Sequence, residues 1–387
     1  TVDSKWLRQR GNLNWSLWKL RPQFGYEAED RKDAMVDSTG GFRFESVTAG
    51  LAVEMRRGLR FSFSQNERRD EARNARGLLP KSVANTQSYA LHVEQWKNLT
   101  LGLNYTHRER KFEDAKFGND ARTDLADVQA QYSPLRRALT TDLHYQITNT
   151  QAAKQERVFF QVPRGEGNYR FETTLNDYVP DPVFGDYILR VLNTEDFVPV
   201  VEVRVRSKMR WKFAQLLEGE KPKAENVSRV WWRRGLAALS TETFLRLEER
   251  TQEIEVWDIY RLNLARFQNE ATTLFGVQSL QQDLHVWENQ RRKSVRYRFT
   301  ALRELNQQLL EGSSKRKQAL HELRLTFALS PKLSSQTELR LNNENVYVNI
   351  SGRVNRYVRS RSAEVEISYR PRPQVELANA AGVIYDR

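Results

Sequence analysis

Leu325-Thr326-Phe327-Ala328-Leu329, the turn Ser330-Pro331-Lys332, and then Leu333-Ser334-Ser335-Gln336-Thr337-Glu338-Leu339-Arg340-Leu341 form a hairpin in sequence. Apolar and polar residues alternate on both arms, and Pro and Lys sit in the reversal. Successive side chains of a strand point to opposite faces, so each arm has one greasy face and one polar face. The same figure recurs at Ala363-Glu364-Val365-Glu366-Ile367-Ser368-Tyr369, with the turn Arg370-Pro371-Arg372-Pro373 and the return Gln374-Val375-Glu376-Leu377.

Working outward, hairpins are predicted at Leu13–Trp18 with Phe24–Ala28, and at Val47–Met55 with Leu59–Ser64 around Arg56-Arg57-Gly58. Others pair Tyr89–Val93 with Leu99–Tyr105 across Trp96-Lys97-Asn98, and Ala126–Tyr132 with Leu139–Ile147 across 133–137. Turn positions hold Pro, Gly, Asn or Lys/Arg, which suit tight reversal at an aqueous edge. Between hairpins, 66–86 and 111–122 are rich in Arg, Asp, Glu, Asn and Gly. They read as long loops or as strand extensions standing above a membrane. Strands of about ten residues with short turns on one side and long loops on the other are the pattern of a transmembrane β-barrel.

The fold class is therefore all-β: a transmembrane antiparallel up-and-down β-barrel of about 16 strands, good to two either way. By analogy with bacterial barrels the short turns are periplasmic and the long loops extracellular. Residues 1–387 read as one such domain, with a long loop at 161–198 and an irregular or helical insert at 215–236. The Trp231-Trp232-Arg233-Arg234 cluster suits an interface belt or packing on a barrel wall. Strands are weaker at 272–287 and 294–305, and 304–312 reads as helical. The chain opens Thr1-Val2-Asp3 rather than with Met, and shows no signal peptide. It reads as processed or as a piece of a longer chain.

Composition agrees. The chain is 39% hydrophobic, yet 11% aromatic with 9 Trp, 14 Tyr and 18 Phe, and its mean hydropathy is -0.72. Disordered chains are poor in aromatics, whereas a barrel needs only every second residue apolar and gathers aromatics at the membrane boundaries. No run of 18 apolar residues exists, which excludes a helical span. The absence of cysteine removes disulfides, zinc-thiolate sites and thiol nucleophiles. A net charge of +13 and pI near 9.8 invite a polyanion reading. The basic residues are spread along the chain among 49 acidic ones, with no nucleic-acid-binding signature, so nucleic acid is not expected as a partner.

Three sets of residues carry candidate chemistry. In 201–212 the odd positions Val201, Val203, Val205, Met209 and Trp211 are apolar, Ser207 excepted. The even ones are Glu202, Arg204, Arg206, Lys208, Arg210 and Lys212. If the odd face meets lipid, Arg204, Arg206, Lys208, Arg210 and Lys212 hang a basic ladder in the lumen. That ladder is either an anion-selective or lipopolysaccharide-contacting surface, or a structural one neutralised by acids such as Asp142, Glu364 or Glu366. The second reading is preferred. In the 161–198 loop, Asp177, Asp181 and Asp186, with Glu195 and Asp196, offer oxygen ligands to calcium. Their spacing matches no known calcium loop, and an ordered loop stiffened by Pro and Tyr is the plainer account. Asp142 and His144 share a strand face and form a possible acid–base pair, though a lumen hydrogen bond explains them as well. No catalytic or metal motif is present, and no cofactor is expected.

The hairpins at 99–105, 139–147, 323–341 and 363–377 resemble those of bacterial outer-membrane β-barrel proteins, and the Tyr178-Val179-Pro180-Asp181-Pro182 stretch with Gly185-Asp186-Tyr187 resembles a loop motif of large, uncharacterised barrels of that kind. The resemblance implies the bacterial outer membrane, with outer-membrane lipid, lipopolysaccharide and other envelope proteins as partners. It implies no activity. Such barrels usually end in an aromatic residue, whereas this chain ends Tyr385-Asp386-Arg387; the expectation is that the assembly signal lies elsewhere, or that the barrel is longer. The leading function is a non-enzymatic pore, transport or membrane-assembly component. The alternatives are a structural anchor or adhesin acting through its loops, a barrel enzyme using Asp142 and His144, and a soluble basic all-β polyanion binder.

Overall fold

The computed structural model describes the chain except for residues 1–2, 35–38, 57, 75, 119, 218–230, 253–260, 289, 291, 311, 350–353 and 373. It resolves into two compact units. The first holds 1–131 and 144–150, the second 132–143 and 151–387.

In the first unit β1 (Asp3–Asn14), β2 (Leu20–Ala34), β3 (Thr39–Arg56), β4 (Leu59–Asn74), β5 (Gly77–Trp96) and β6 (Leu99–Phe112) pair in sequence, each antiparallel to the next. β7 (Ala121–Tyr132) follows, and β8 (Leu139–Gln161) is shared between the units. In the second unit a short hairpin of β9 (Tyr169–Glu172) and β10 (Asp177–Pro180) leads to β11 (Tyr187–Lys212). After the helical turns α1 (Phe213–Leu217) and α2 (Trp231–Ala237) come β12 (Leu239–Thr251), β13 (Thr273–Val286) and β14 (Lys293–Asn306). β15 (Ser313–Ala328), β16 (Leu333–Asn349), β17 (Arg356–Arg372) and β18 (Val375–Asp386) complete the meander. From β11 to β18 each strand again pairs antiparallel with its successor. Leaving aside the four-residue β9 and β10, sixteen of the eighteen described strands remain, the number the alternation predicts. No described helix is long and apolar enough to cross a membrane.

The register sorts side chains onto two faces. Paired residues point the same way, so one face can be followed from strand to strand. In the second unit the apolar face runs through Tyr297, Leu323, Leu339, Ala363 and Val383. The neighbouring positions Arg298, Glu322, Arg340 and Ser362 lie on the opposite, charged face. In the first unit Val53, Phe61, Leu91 and Leu103 share one face, while Ser62, Ala90 and Asn104 share the other.

Some expectations hold and others are corrected. Of the two readings of 66–86, the strand extension holds: β4 and β5 run on and stay paired as far as Asn74 opposite Gly77. With charge on both faces the period-2 signal vanishes, although the backbone still pairs. Residues 304–306 continue β14 opposite Arg316, Lys315 and Ser314, rather than starting a helix. The long loop is confined to 162–186, because 187–198 already belongs to β11. The insert at 215–236 is helical at both ends, in α1 and α2. Its middle, 218–230, lies outside the described residues.

Candidate functional site

The strands differ from those of a water-soluble sheet in which face is enclosed. On the charged face Asp283 and Glu338 are 3% and 8% exposed, whereas Leu339 and Ile367 on the apolar face are 40% and 48% exposed. The first unit repeats this: Ser82 and Ala84 on the polar face are buried, while Val47, Leu51 and Phe61 are exposed. Water-soluble proteins bury their apolar side chains. Here the polarity is inverted.

Most of the enclosed charges are paired. Arg324 reaches Glu338 at 2.7 Å and Arg298 reaches Asp283 at 2.8 Å, each across one strand boundary. Arg316 lies 2.8 Å from Glu344, and Arg340 lies 3.3 Å from Glu322 while also bonding Glu338. Taking a charge out of water is expensive unless a partner and hydrogen bonds replace the solvent, which explains why long side chains of both signs alternate along these strands. From β12 to β18 the apolar face carries one carboxylate only, Glu249.

The ladder of Arg204, Arg206, Lys208, Arg210 and Lys212 lies on the charged face of β11, as periodicity predicts. It is largely neutralised, but not by Asp142, Glu364 or Glu366. Arg204 bonds Glu202 two residues before it and lies 3.9 Å from Glu248, Lys208 meets Glu242 at 2.6 Å, and Arg210 bonds Glu288. All four acids are on β11, on β12 or just past β13. Arg206 faces Arg246 across the ladder and has no acidic partner among the described residues. The opposite side of β11 departs from expectation. Val201, Val203 and Val205 do not reach the exterior: Val203 is 0% exposed.

Beside Val203 on β12, Glu249 anchors residues of the segment that precedes β13. Glu249, paired with Val203 on one side and Gly276 on the other, is fully buried. It accepts hydrogen bonds from the Thr273 hydroxyl and, at 3.0 Å, from the Gln268 backbone N–H. Gln268 also donates its side-chain amide to the carbonyls of Gly276 and Arg303 at 3.3 and 2.9 Å. The 261–272 segment is thereby tied to β12, β13 and β14, and Phe267 and Leu305 are buried. Glu249 lies one row beyond the Leu247–Gln278–Arg303 row, outside the apolar band. Burial pushes its carboxyl up to about 7 against the Thr273 and Gln268 hydrogen bonds. The sequence signal was available: Glu249 breaks the alternation of Leu245, Leu247 and Thr251.

The 162–186 loop is ordered by rings. Phe159 stacks on Tyr178 with centroids 3.8 Å apart, and Tyr178 meets Phe171 and Tyr187 edge-on. Asp181 accepts from the N–H groups of Phe184 and Val183 at 2.9 and 3.2 Å and lies 3.8 Å from Arg170. Asp177 bonds the Tyr178 N–H. The structure thus uses Asp177 and Asp181 locally, and Asp186 joins the loop through its backbone N–H to the Tyr169 carbonyl. The side chains of Glu195 and Asp196 lie outside the described residues. Among the described residues no group of three His, Asp or Glu side chains is placed to hold a metal ion. His144 does not partner Asp142: its Nε2 lies 2.6 Å from Asp127 on β7. A second contact of this kind, His107 Nδ1 to Asp124 at 2.6 Å, has no signal in the sequence because its members lie on different strands, β6 and β7.

The short-turn ends hold tryptophan beneath cations. Lys19 sits 4.6 Å over Trp18 and Lys97 5.8 Å over Trp96 in the first unit. In the second, Lys293 sits 3.9 Å over Trp287 and Arg233 5.6 Å over Trp232. Amphipathic rings of this kind concentrate at membrane–water interfaces.

No family model matches the chain, and no curated protein matches it. Among solved structures, the copper transporter OprC is similar at a TM-score of 0.33 and 9% identity, over 100% of this chain and 65% of its own length. OmpT, an outer-membrane protein of Vibrio cholerae, is similar at 0.28 and 9%, over 100% and 96%. The siderophore receptor PirA from Pseudomonas aeruginosa is similar at 0.31 and 10%, over 99% and 71%. At these scores and identities none of the three specifies an activity, a ligand or a partner for this chain. The chain spans about two thirds of the copper transporter, 65% of its length.

Proposed function

We propose that this chain is a bacterial outer-membrane β-barrel protein acting as a conduit, with no covalent chemistry of its own. The inverted polarity carries the reading. A sheet that exposes Leu339, Leu341, Val365 and Ile367 while enclosing Asp283, Glu338 and Glu344 is stable only if the exposed face meets hydrocarbon. On β15 the apolar stretch from Ala319 to Phe327 counts nine residues, and a tilted strand needs about 9–11 to cross a bilayer. The tryptophans at the short-turn ends fit one boundary of that band.

A conduit is favoured over a bare anchor by the polar face of the first unit. There Thr48, Gly50, Ser62, Ser64, Ser88 and Ala90 lie side by side, and side chains this small leave room for water and solute. In the second unit, Arg206 adds an uncompensated cation to the charged face of β11. A second reading, a surface anchor that binds an envelope protein, is supported by the ring-packed 162–186 loop. Purification decides the membrane part: the protein must require detergent and migrate differently in gels before and after heating. Conductance in planar bilayers separates the two functions, since steps are expected from a conduit and none from an anchor.

A further inference from the structure

Charge is spread unevenly over the polar faces of the two units. On β14 to β16 of the second unit, Arg296, Arg298, Glu322, Arg324, Glu338 and Arg340 occupy neighbouring register positions. In the first unit two successive rows cross the strands without a charge from β1 to β5. One row is Asn14, Gln23, Gly50, Ser64 and Ser88, continued on β6 by Thr106. The next is Asn12, Gly25, Thr48, Asn66 and Thr86, and it meets a cation only at Arg108 on β6. The rows on either side are charged again, through Arg21 on one and Glu27, Arg68 and Arg110 on the other.

Much of the hydrogen-bonding capacity of these rows is unspent. Asn66 donates to the Ser46 and Thr48 hydroxyls at 2.7 and 2.8 Å, and Ser88 lies 3.3 Å from Thr106. Asn12, Asn14, Gln23, Ser64 and Thr86 make no side-chain hydrogen bond among the described residues. Two glycines set the amides in place. A Cβ on Gly50 would stand 2.6 Å from Gln23 Nε2, and one on Gly25 would stand 3.2 Å from Asn12 Oδ1. The Gln23 and Asn12 amides thus lie across the neighbouring strand in the space a larger residue would fill. On the same face, three rows beyond Asn12, Trp6 is 64% exposed, with its indole N–H bonded to Glu29 at 3.0 Å. With its one donor engaged, that ring has only its apolar faces left to offer.

We propose that Asn12, Asn14, Gln23, Ser64 and Thr86 form a binding strip for an uncharged, polyhydroxylated solute such as an oligosaccharide. The assignment rests on the conduit reading above and names its solute class. An ion that gives up water needs a counter-charge in return, and neither row supplies one from β1 to β5. A polyol gives up only hydroxyl–water hydrogen bonds. Amides, which donate and accept side by side, and hydroxyls, which do either, replace those bonds in kind. Six strands at about 4.8 Å and two rows at about 7 Å make a strip roughly 24 Å by 7 Å, long enough for several sugar rings end to end. Trp6, further along the same face, offers the C–H faces of a sugar ring a surface to pack on. Each residue of the strip is an unremarkable polar position of its own strand, and only the register assembles them.

The test uses the full chain, titrated in detergent by calorimetry and inserted in planar bilayers for conductance. The probes are maltotriose, its carboxylate form maltotrionate, the cationic trimer of glucosamine, and a polyethylene glycol of matching size. Maltotriose is expected to bind saturably, and the other three more weakly. The combined substitution Asn12→Ala, Asn14→Ala, Gln23→Ala and Ser64→Ala is expected to weaken maltotriose binding by about tenfold or more, the sum of several lost hydrogen bonds. The hydroxyl-preserving variant Ser64→Thr with Thr86→Ser is expected to retain most of it, which guards against a folding defect. No saturable maltotriose binding, equal binding of polyethylene glycol, or an unchanged quadruple variant overturns the site. Equal binding of maltotrionate or of the glucosamine trimer overturns the uncharged class. Conductance steps without maltotriose binding overturn the site alone, whereas maltotriose binding without conductance steps overturns the conduit reading and upholds the site.

Discussion

Arg324 directs both its Nε and an Nη at one oxygen of Glu338, at 3.1 and 2.7 Å, from the position directly across the β15–β16 ladder. The residues just before Arg324 and just after Glu338, Leu323 and Leu339, also face each other, on the opposite side of the sheet. One residue of register separates an enclosed ion pair from an exposed apolar pair. A slip of one position would put the ion pair in hydrocarbon, which fixes the register firmly.

Spin labels should therefore report opposite surroundings on adjacent positions. Leu101, Leu325, Leu339 and Val365 are expected to be accessible to oxygen in lipid, and Asn104, Arg324 and Glu366 to a water-soluble relaxer. Leu339→Arg is expected to cost about 2–4 kcal/mol in folding from urea into vesicles, the price of a midplane cation. Equal accessibility of Leu339 and Arg324 would remove the basis for a membrane barrel.

The ladder on β11 predicts selectivity by subtraction. Arg204, Lys208 and Arg210 are held by Glu202, Glu248, Glu242 and Glu288, so an open lumen should show only a mild preference for anions. Glu242→Gln frees Lys208 and should strengthen that preference. Arg206→Glu should weaken or reverse it, because Arg206 brings an uncompensated charge. Reversal potentials in a potassium chloride gradient read both changes. A cation-preferring unmodified pore contradicts the ladder's role.

How much of this was legible in the sequence depends on whether alternation survived. Around 47–64, 89–105, 126–147 and 323–377 one face is apolar, and strands and turns fall where the pattern puts them. At 66–86 both faces are polar, so a strand and a loop look alike until the backbone pairs. Val203 shows a second limit. Periodicity places it on the apolar face, yet it is buried opposite Glu249, which Gln268 holds from more than sixty residues later. The acids that neutralise the ladder are Glu202, Glu242, Glu248 and Glu288 rather than Asp142, Glu364 or Glu366 for the same reason: face can be read from sequence, and neighbouring strands cannot.

The 162–186 loop should be insensitive to calcium. The Asp181 carboxylate is held below its ordinary range chiefly by the Phe184 N–H, with the Val183 N–H adding to it against some desolvation, and those bonds close a turn. Asp181→Asn should loosen that turn, seen as faster amide exchange at Val183 and Phe184. Phe159→Ala should do the same across the loop by removing the stack on Tyr178, a pair worth about 0.5–1.5 kcal/mol beyond its area. Chelator should leave exchange unchanged in the unmodified protein. Slower exchange on adding calcium would restore the cation site at Asp177, Asp181 and Asp186.

Docking of the 261–272 segment should weaken as pH rises. Glu249 has an ordinary value of 4.5 when the segment is lifted and solvent reaches it, and about 7 when it is covered. A raised carboxyl favours the covered state while protonated, so docking is strongest below 4.5, falls between 4.5 and about 7, and is level above that. No charge offsets this: Val203 and Gly276, paired with Glu249 on either side, and Gln268 and Thr273, bonded to it, are all neutral. Proteolysis within 261–272 should accordingly quicken across that interval. Glu249→Gln should make the cleavage rate independent of pH there, keeping the acceptor for Gln268. Gly276→Ala should raise cleavage at every pH, because a Cβ at that position would stand 2.5 Å from Glu249 Oε2 and 2.9 Å from Gln268 Cγ. A cleavage rate that is flat with pH in the unmodified protein would mean that Glu249 does not govern the segment.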